Sequence, residues 1–170
     1  VNRSSGAPNV FSVRPDGSDN AMLTANDNPR ASITSPLWSP DGSLLAFKSV
    51  IPQPGAKALY AISIRNSSGE IREMTRQSAF LRLLGWQKGS GKLIAVTTSE
   101  SEATALHPEV TILAIDPATG NTAEMRRLKN VYLANIHLSP DGKSLAFVAN
   151  SDGRDDVWLV PATGGAARKM

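Results

Sequence analysis

Leu37-Trp38-Ser39-Pro40-Asp41-Gly42-Ser43-Leu44-Leu45-Ala46-Phe47 returns later in the chain as Leu138-Ser139-Pro140-Asp141-Gly142-Lys143-Ser144-Leu145-Ala146-Phe147. A degenerate copy, Gly85-Trp86-Gln87-Lys88-Gly89-Ser90-Gly91-Lys92-Leu93-Ile94-Ala95-Val96, lies between them. The aligned positions Trp38, Trp86 and Leu138 are 48 and 52 residues apart. Self-similarity at that spacing marks a repeated supersecondary unit, and it governs every local assignment that follows.

Each unit reads as four short strands. In one copy Ile33 to Trp38 is strand a, Leu44 to Val50 strand b, Ala58 to Arg65 strand c and Glu70 to Thr75 strand d. The Ser-Pro-Asp-Gly link between a and b is a turn by chemistry. Proline holds φ near about −65°, aspartate bonds its own backbone two residues on, and glycine supplies the positive φ that closes the hairpin. The outer c–d hairpin also recurs. It runs from Val10 through Asp16-Gly17 to Leu23-Thr24, from Leu59 through Gly69 to Met74-Thr75, from Ile112 to Gly120 and from Val157 to Gly165. Four outer hairpins against three inner ones make about three and a half units and 14 strands. Gln77 to Leu84 contains good helix formers, but alignment with the other copies predicts a d-to-a connection running into strand a.

The chain has 170 residues, 41% of them hydrophobic, enough to bury a core within a single domain. No run approaches the ~18 apolar residues of a membrane span, which predicts no membrane insertion, and no secretory leader is visible. Opening on Val1 part-way through a unit, the chain is expected to be a segment of a longer polypeptide. Cysteine is absent, so disulfides and thiolate chemistry are excluded here. The net charge of +3 and an isoelectric point near 9.5 raise the question of nucleic acid, but the 18 basic residues are scattered and no nucleic-acid partner is expected. The tight group Arg126, Arg127 and Lys129 reads as a solvated strand edge, with a phosphate-binding patch as the alternative.

Four-stranded antiparallel units of this length, stacked radially, are the blades of an all-β fold, the β-propeller. The residues add a family resemblance. Ser-Pro-Asp-Gly followed by Leu-Ala-Phe, then Thr-Gly or Asp-Gly, then Leu-Thr resembles the TolB-type propeller repeat, also called the Pro-Asp forty-residue repeat. The resemblance runs over a half blade at 1–24 and blades at 33–75, 80–128 and 131–170, together one partial propeller. The copy at 80–128 departs from it, because Gln87 to Gly91 replaces the Ser-Pro-Asp-Gly turn and lengthens it. Propellers close with at least four blades, so the remaining blades are expected from the parent chain or from a second copy. Until then terminal faces carrying Phe11, Phe147 and Trp158 would be apolar patches. The resemblance implies a bacterial, periplasmic or otherwise extracytoplasmic protein, closest to the sensory propellers of signalling proteins.

The b-to-c and d-to-a connections share one end of such a sheet, and the sequence varies most there: Ile51 to Gly55, Ser99 to Pro108 and Ser151 to Asp155. Variation on one face points to recognition. The candidate contacts are Arg30, Gln53, Arg76, Glu100, Glu102, His107, Arg154 and Asp155, against the plainer reading of solvated loops. His107 lies near Glu100, Glu102 and Glu109, but no spacing matches a metal-ligand pattern. His137 aligns with Leu37 and Gly85 and reads as a hydrogen-bonded packing residue. Asp41 and Asp141 are explained by their turns without acid–base chemistry.

No nucleophile elbow, phosphate loop or zinc-helix motif is present. No catalytic, cofactor or metal residue is therefore assigned, no cofactor is expected, and the leading reading is a non-enzymatic module that docks a protein or small ligand. A second reading is the propeller that gates substrate in a prolyl-oligopeptidase-like serine peptidase. A third is a lyase or hydrolase working from inner strand ends, for which the sequence offers Arg82, Asn135 and His137.

Overall fold

The computed structural model describes residues 6–170 as fourteen strands and one short helix. The chain divides into two compact units, Val1–Ser78 and Ala79–Met170. In the first, β1 (Phe11–Ser12) pairs with β2 (Ala21–Met22) as a two-stranded half blade. There too β3 (Ser32–Trp38), β4 (Leu44–Gln53), β5 (Ala56–Asn66) and β6 (Ile71–Gln77) form an antiparallel sheet in that order. The second unit holds β7 (Phe80–Trp86), β8 (Leu93–Thr98), α1 (Glu100–Ala103), β9 (Val110–Ile115) and β10 (Thr122–Leu128). It also holds β11 (Val131–Leu138), β12 (Ser144–Ser151), β13 (Arg154–Pro161) and β14 (Arg168–Lys169). Each set of four strands is again a sequential antiparallel meander, joined by hairpins.

The two Ser-Pro-Asp-Gly turns are the same object twice. Ser39 Oγ donates to Asp41 Oδ1 at 2.6 Å and accepts from the Leu44 amide at 2.9 Å. Ser139 does the same with Asp141 and Ser144, at 2.6 and 2.9 Å. Gly42 and Gly142 sit at φ 73° and 72°, where a side chain is strained. In the degenerate copy the closing bond spans one residue more, Gly91 N to Gln87 O at 3.0 Å against Gly42 N to Ser39 O at 2.9 Å. The substitution of Ser-Pro-Asp-Gly thus lengthens the turn without breaking the hairpin.

These turns make the fold acid-sensitive. The Ser39 hydroxyl, then the Ser43 amide and hydroxyl, hold the Asp41 carboxyl at about 2, below its ordinary 3.8. Asp141, Asp16 and Asp116 are lowered by the same kind of donors, led by Ser139, Ser18 and the Thr119 amide respectively. A carboxyl depressed on folding stabilises the fold above its unfolded value, and that contribution is lost as pH falls through the folded one. Denaturant midpoints should therefore drop between pH about 4 and about 2. The double variant Asp41→Asn, Asp141→Asn should flatten that drop; an unchanged slope would refute the role of the turns.

Period-2 alternation sets the cores. On β12 Leu145, Phe147 and Ala149 are buried while their neighbours are half-exposed. They pack with Val131, Ile136 and Val160 against Ile94, Val96, Val110 and Ile112 of the adjacent sheet. Each such fully buried aliphatic side chain contributes about 1.5–3 kcal/mol. Phe147 and Trp158 therefore lie against this second-unit core, not on a bare terminal face as the sequence suggested. In the first unit Val10 of the half blade packs on Ile33, Leu45 and Phe47.

The Gln77–Leu84 stretch is no helix: Ser78 and Ala79 connect β6 to β7, and the chain runs on into that first strand of the next sheet as the repeat alignment predicts. Two local expectations change. Two of the three variable connections are tight two-residue turns, because β4 and β5 extend to Gln53 and Ala56, and β12 and β13 to Ser151 and Arg154. Asp152 and Gly153 at φ 53° and 75° give the twist that suits a hairpin. His137 is exposed on β11, opposite Ala146, and not a packing residue: the alternation that buries Ile136 turns its neighbour outward.

Candidate recognition surface

The first strand of each four-stranded sheet carries a register shift: between Thr34 and Leu37, Leu83 and Gly85, and Val131 and Ile136. The last is the widest, setting Tyr132, Leu133, Ala134 and Asn135 against Val148 alone. Bulges re-aim side chains, and here the bulged segment presents Tyr132 to the end of the sheet where the connections lie.

In the second unit the long connection after β8 is fastened in place. Ser99 caps α1 by accepting from the Glu102 amide at 3.2 Å, and Glu102 Oε2 accepts from the Glu109 amide at 3.0 Å. Thr98 Oγ1 donates to the Glu109 carbonyl at 2.6 Å, and the Val131 amide donates to the Pro108 carbonyl at 3.2 Å. This brings the His107 ring edge-on to Tyr132, centroids 4.6 Å apart and planes at 86°. The Tyr132 hydroxyl donates to Asp155 Oδ2 at 2.7 Å, and Asn150 Nδ2 to Asp155 Oδ1 at 2.6 Å. His107 and Asp155, two of the sequence candidates, are thus joined by a tyrosine the sequence reading passed over. Among the described residues the buried His107 Nε2 has no hydrogen-bond partner.

The Asp155 carboxyl is held below its ordinary range by the Asn150 amide first, then the Tyr132 hydroxyl, with His107 adding a smaller attraction. The same bond to Asp155 pushes the Tyr132 phenol up. Near neutrality Asp155 therefore stays ionised and Tyr132 protonated, which suits binding better than proton transfer by either group. In an Asp155→Asn protein Tyr132 should ionise at lower pH than in the parent. Near-ultraviolet titration of the chain's two tyrosines reads this directly, and an unmoved curve would show that the bond does not form.

In the first unit Arg30 and Gln53 line one cleft of about 480 Å³ with Asn28, Pro29, Pro52 and Pro54. An asparagine ladder shapes it. Buried Asn9 accepts from Thr24 Oγ1 at 2.9 Å and from the Asn26 amide at 2.7 Å, Asn26 Oδ1 accepts from the Asn28 amide at 3.1 Å, and Asn28 Oδ1 accepts from the Arg30 amide at 3.0 Å. The remaining candidates stand apart. Arg76 is held by Glu73 through two bonds of 2.9 and 2.6 Å. Arg154 flanks the Asp152-Gly153 turn and is exposed, and the Glu100 side chain lies outside the described residues.

Arg82, Asn135 and His137 do not assemble into a site. Arg82 donates to the Ala134 and Ile136 carbonyls at 3.1 and 2.7 Å, stitching β7 into the β11 bulge, while Asn135 and His137 are exposed. Burial lowers the Arg82 pKa from its ordinary value. Among the described residues no group of three or more His, Asp and Glu side chains could hold a metal ion, and no helix is long and apolar enough to cross a membrane.

No family model and no curated protein matches the sequence. Solved structures do. Porphyromonas gingivalis dipeptidyl peptidase 4 aligns with 94% of this chain at a TM-score of 0.69 and 12% identity. A structure from a study of two prolyl endopeptidases aligns with 95% at 0.65 and 15%, and an oligogalacturonate lyase in complex with manganese with 88% at 0.58 and 19%. The fold is that of β-propeller blades. At these identities the likeness is one of fold, and the chain spans 32%, 25% and 40% of those proteins.

Proposed function

We propose that this chain is a non-enzymatic recognition module of the TolB-type propeller repeat, part of a larger bacterial binding or signalling protein, docking a protein or small ligand at the connection end of its sheets. The observation that supports this is the His107–Tyr132–Asp155 cluster. It is a built polar constellation of the second unit, it lies where the sequence varies, and Tyr132 and Asn150 hold the Asp155 carboxylate through hydrogen bonds. The opposite end carries stereotyped turns whose polar groups are spent on their own backbone. Completion of the ring by further blades, in the parent chain or from a second copy, belongs to the same proposal.

The test is selection of a displayed random-peptide library on the intact protein. Enriched peptides should lose about tenfold or more in affinity, ~1.4 kcal/mol, on Tyr132→Phe with Asp155→Ala, and nothing on Lys143→Ala at the opposite end. Peptides indifferent to both changes, or no enrichment at all, would overturn the docking role. The gating reading makes a different demand: the intact protein would cleave peptides, and changes at this cluster would alter only access.

A further inference from the structure

Asp-Gly pairs stand at four turns of this chain: Asp16-Gly17, Asp41-Gly42, Asp141-Gly142 and Asp152-Gly153. Three of them are tied on both sides of the peptide bond that joins them. The Gly17, Gly42 and Gly142 amides donate to the Arg14, Ser39 and Ser139 carbonyls at 2.8, 2.9 and 2.8 Å. The Asp16, Asp41 and Asp141 carboxylates accept from the Ser18, Ser43 and Lys143 amides at 2.9, 3.1 and 3.0 Å, and each takes a serine hydroxyl as well. Asp152-Gly153 lacks these ties. Both residues are exposed, and among the described residues the Asp152 carboxyl takes no hydrogen bond or ion pair and the Gly153 amide donates to no carbonyl. Asp152 is also the one aspartate of the four at positive φ, 53°. We infer that Asp152-Gly153 is a site of spontaneous isoaspartate formation, a covalent modification of the hairpin that carries Arg154 and Asp155.

The chemistry needs a main-chain amide free to attack and a carboxyl free to turn toward it. The Gly153 nitrogen adds to Asp152 Cγ and gives up its proton, and a carboxyl oxygen leaves as water, closing a succinimide ring. Water then adds at the Asp152 main-chain carbonyl, the bond from that carbonyl to the Gly153 nitrogen breaks, and the chain continues through the former side chain. Glycine favours the closure because it brings no Cβ beside the attacking nitrogen. A Cβ built at Gly153 would meet nothing within 4 Å, so the ring has room, whereas at Gly142 the same point lies 2.6 Å from Gln87 Cα. The donors on Asp16, Asp41 and Asp141 hold those carboxyls below their ordinary range, in the ionised form from which oxygen leaves poorly. A side chain in the left-handed region is strained, and the extra main-chain carbon of the product releases that strain at position 152. The same carbon lengthens a two-residue turn whose twist matches its flanking strands, so conversion draws Asp155 away from Tyr132 and Asn150. None of this depends on whether the surface docks a ligand.

The test is to age the intact protein in mildly acidic buffer and to assign isoaspartate by methylation with a protein-isoaspartyl methyltransferase followed by peptide mapping. Position 152 should accumulate it about tenfold or more faster than 16, 41 and 141, where ordinary hydrogen bonds must first break. In denaturant all four pairs lose their partners, and the lead should disappear. Asp152→Glu, whose longer side chain does not close this ring, should remove the fast-forming product. Equal rates in the native protein, a faster position among the other three, or a lead that persists in denaturant would overturn the inference. Those comparisons use the unaltered protein, so they decide even if Asp152→Glu fails to fold. Protein converted at 152 should also ionise Tyr132 at lower pH than fresh protein, because its bond to Asp155 is lost. An unmoved tyrosine titration would overturn the effect on Asp155.

Discussion

Replacing Gly142 by alanine lowers stability by about 2–5 kcal/mol, while the same change at Gly42, in an identical turn, costs about 1–2 kcal/mol. Both glycines lie at positive φ, 72° and 73°, so the backbone cost is shared. What differs is space. A Cβ at Gly42 meets nothing within 4 Å, whereas one at Gly142 would lie 2.6 Å from Gln87 Cα and 3.0 Å from the Lys88 amide nitrogen. Those are main-chain atoms of the neighbouring sheet's turn, which cannot swing away as a side-chain tip could. The Gln87 side chain also bonds the Gly142 carbonyl at 3.3 Å. Denaturant unfolding of both variants of the intact protein checks this, and equal losses would mean that the two turns do not approach one another.

Leu145→Ala should cost about 3–5 kcal/mol, the range for a buried leucine whose surroundings cannot collapse. Leu145 is fully buried in the cluster shared by the two sheets of the second unit, with Ile94, Ile112, Ile136 and Val160 around it. Rigid β-branched neighbours on strands pinned by ladder hydrogen bonds leave a cavity open rather than filling it. Lys143→Ala, two residues earlier and exposed, should stay within about 0.5 kcal/mol. If Leu145→Ala costs no more than the exposed change, Leu145 does not face the core.

The two stability tests bear on function because Tyr132 and Asp155 sit on β11 and β13, strands of the sheet that builds this core. Binding should therefore be read at temperatures well below the melting transition of each variant.

Much of the architecture was legible in the chain. Ser-Pro-Asp-Gly, the outer hairpin glycines and period-2 alternation are local signals, each acting within a few residues, and their repetition specifies sheets of four sequential strands. Of the candidate site residues, Arg30 and Gln53 line one cleft in the first unit and His107 and Asp155 meet through Tyr132 in the second, because hairpin order dictates which connections share an end of a sheet. Tyr132 was missed, since nothing in its neighbourhood signals the wide bulge that turns it toward Asp155. The basic group at 126–129 was visible as charge, but its partners Glu124, Glu109 and the Gly165 carbonyl could not be read from spacing.

The sequence by itself determined what short-range chemistry controls: turn type, strand alternation, the count of repeated units and the end at which variable connections gather. Only the tertiary structure decided which residues meet across sheets. The approach of Gly142 to Gln87 and the burial of Phe147 against the adjacent sheet depend on how two twisted surfaces interlock. That interlocking is a property of side-chain volume and backbone proximity between residues tens of positions apart, and no local pattern encodes it.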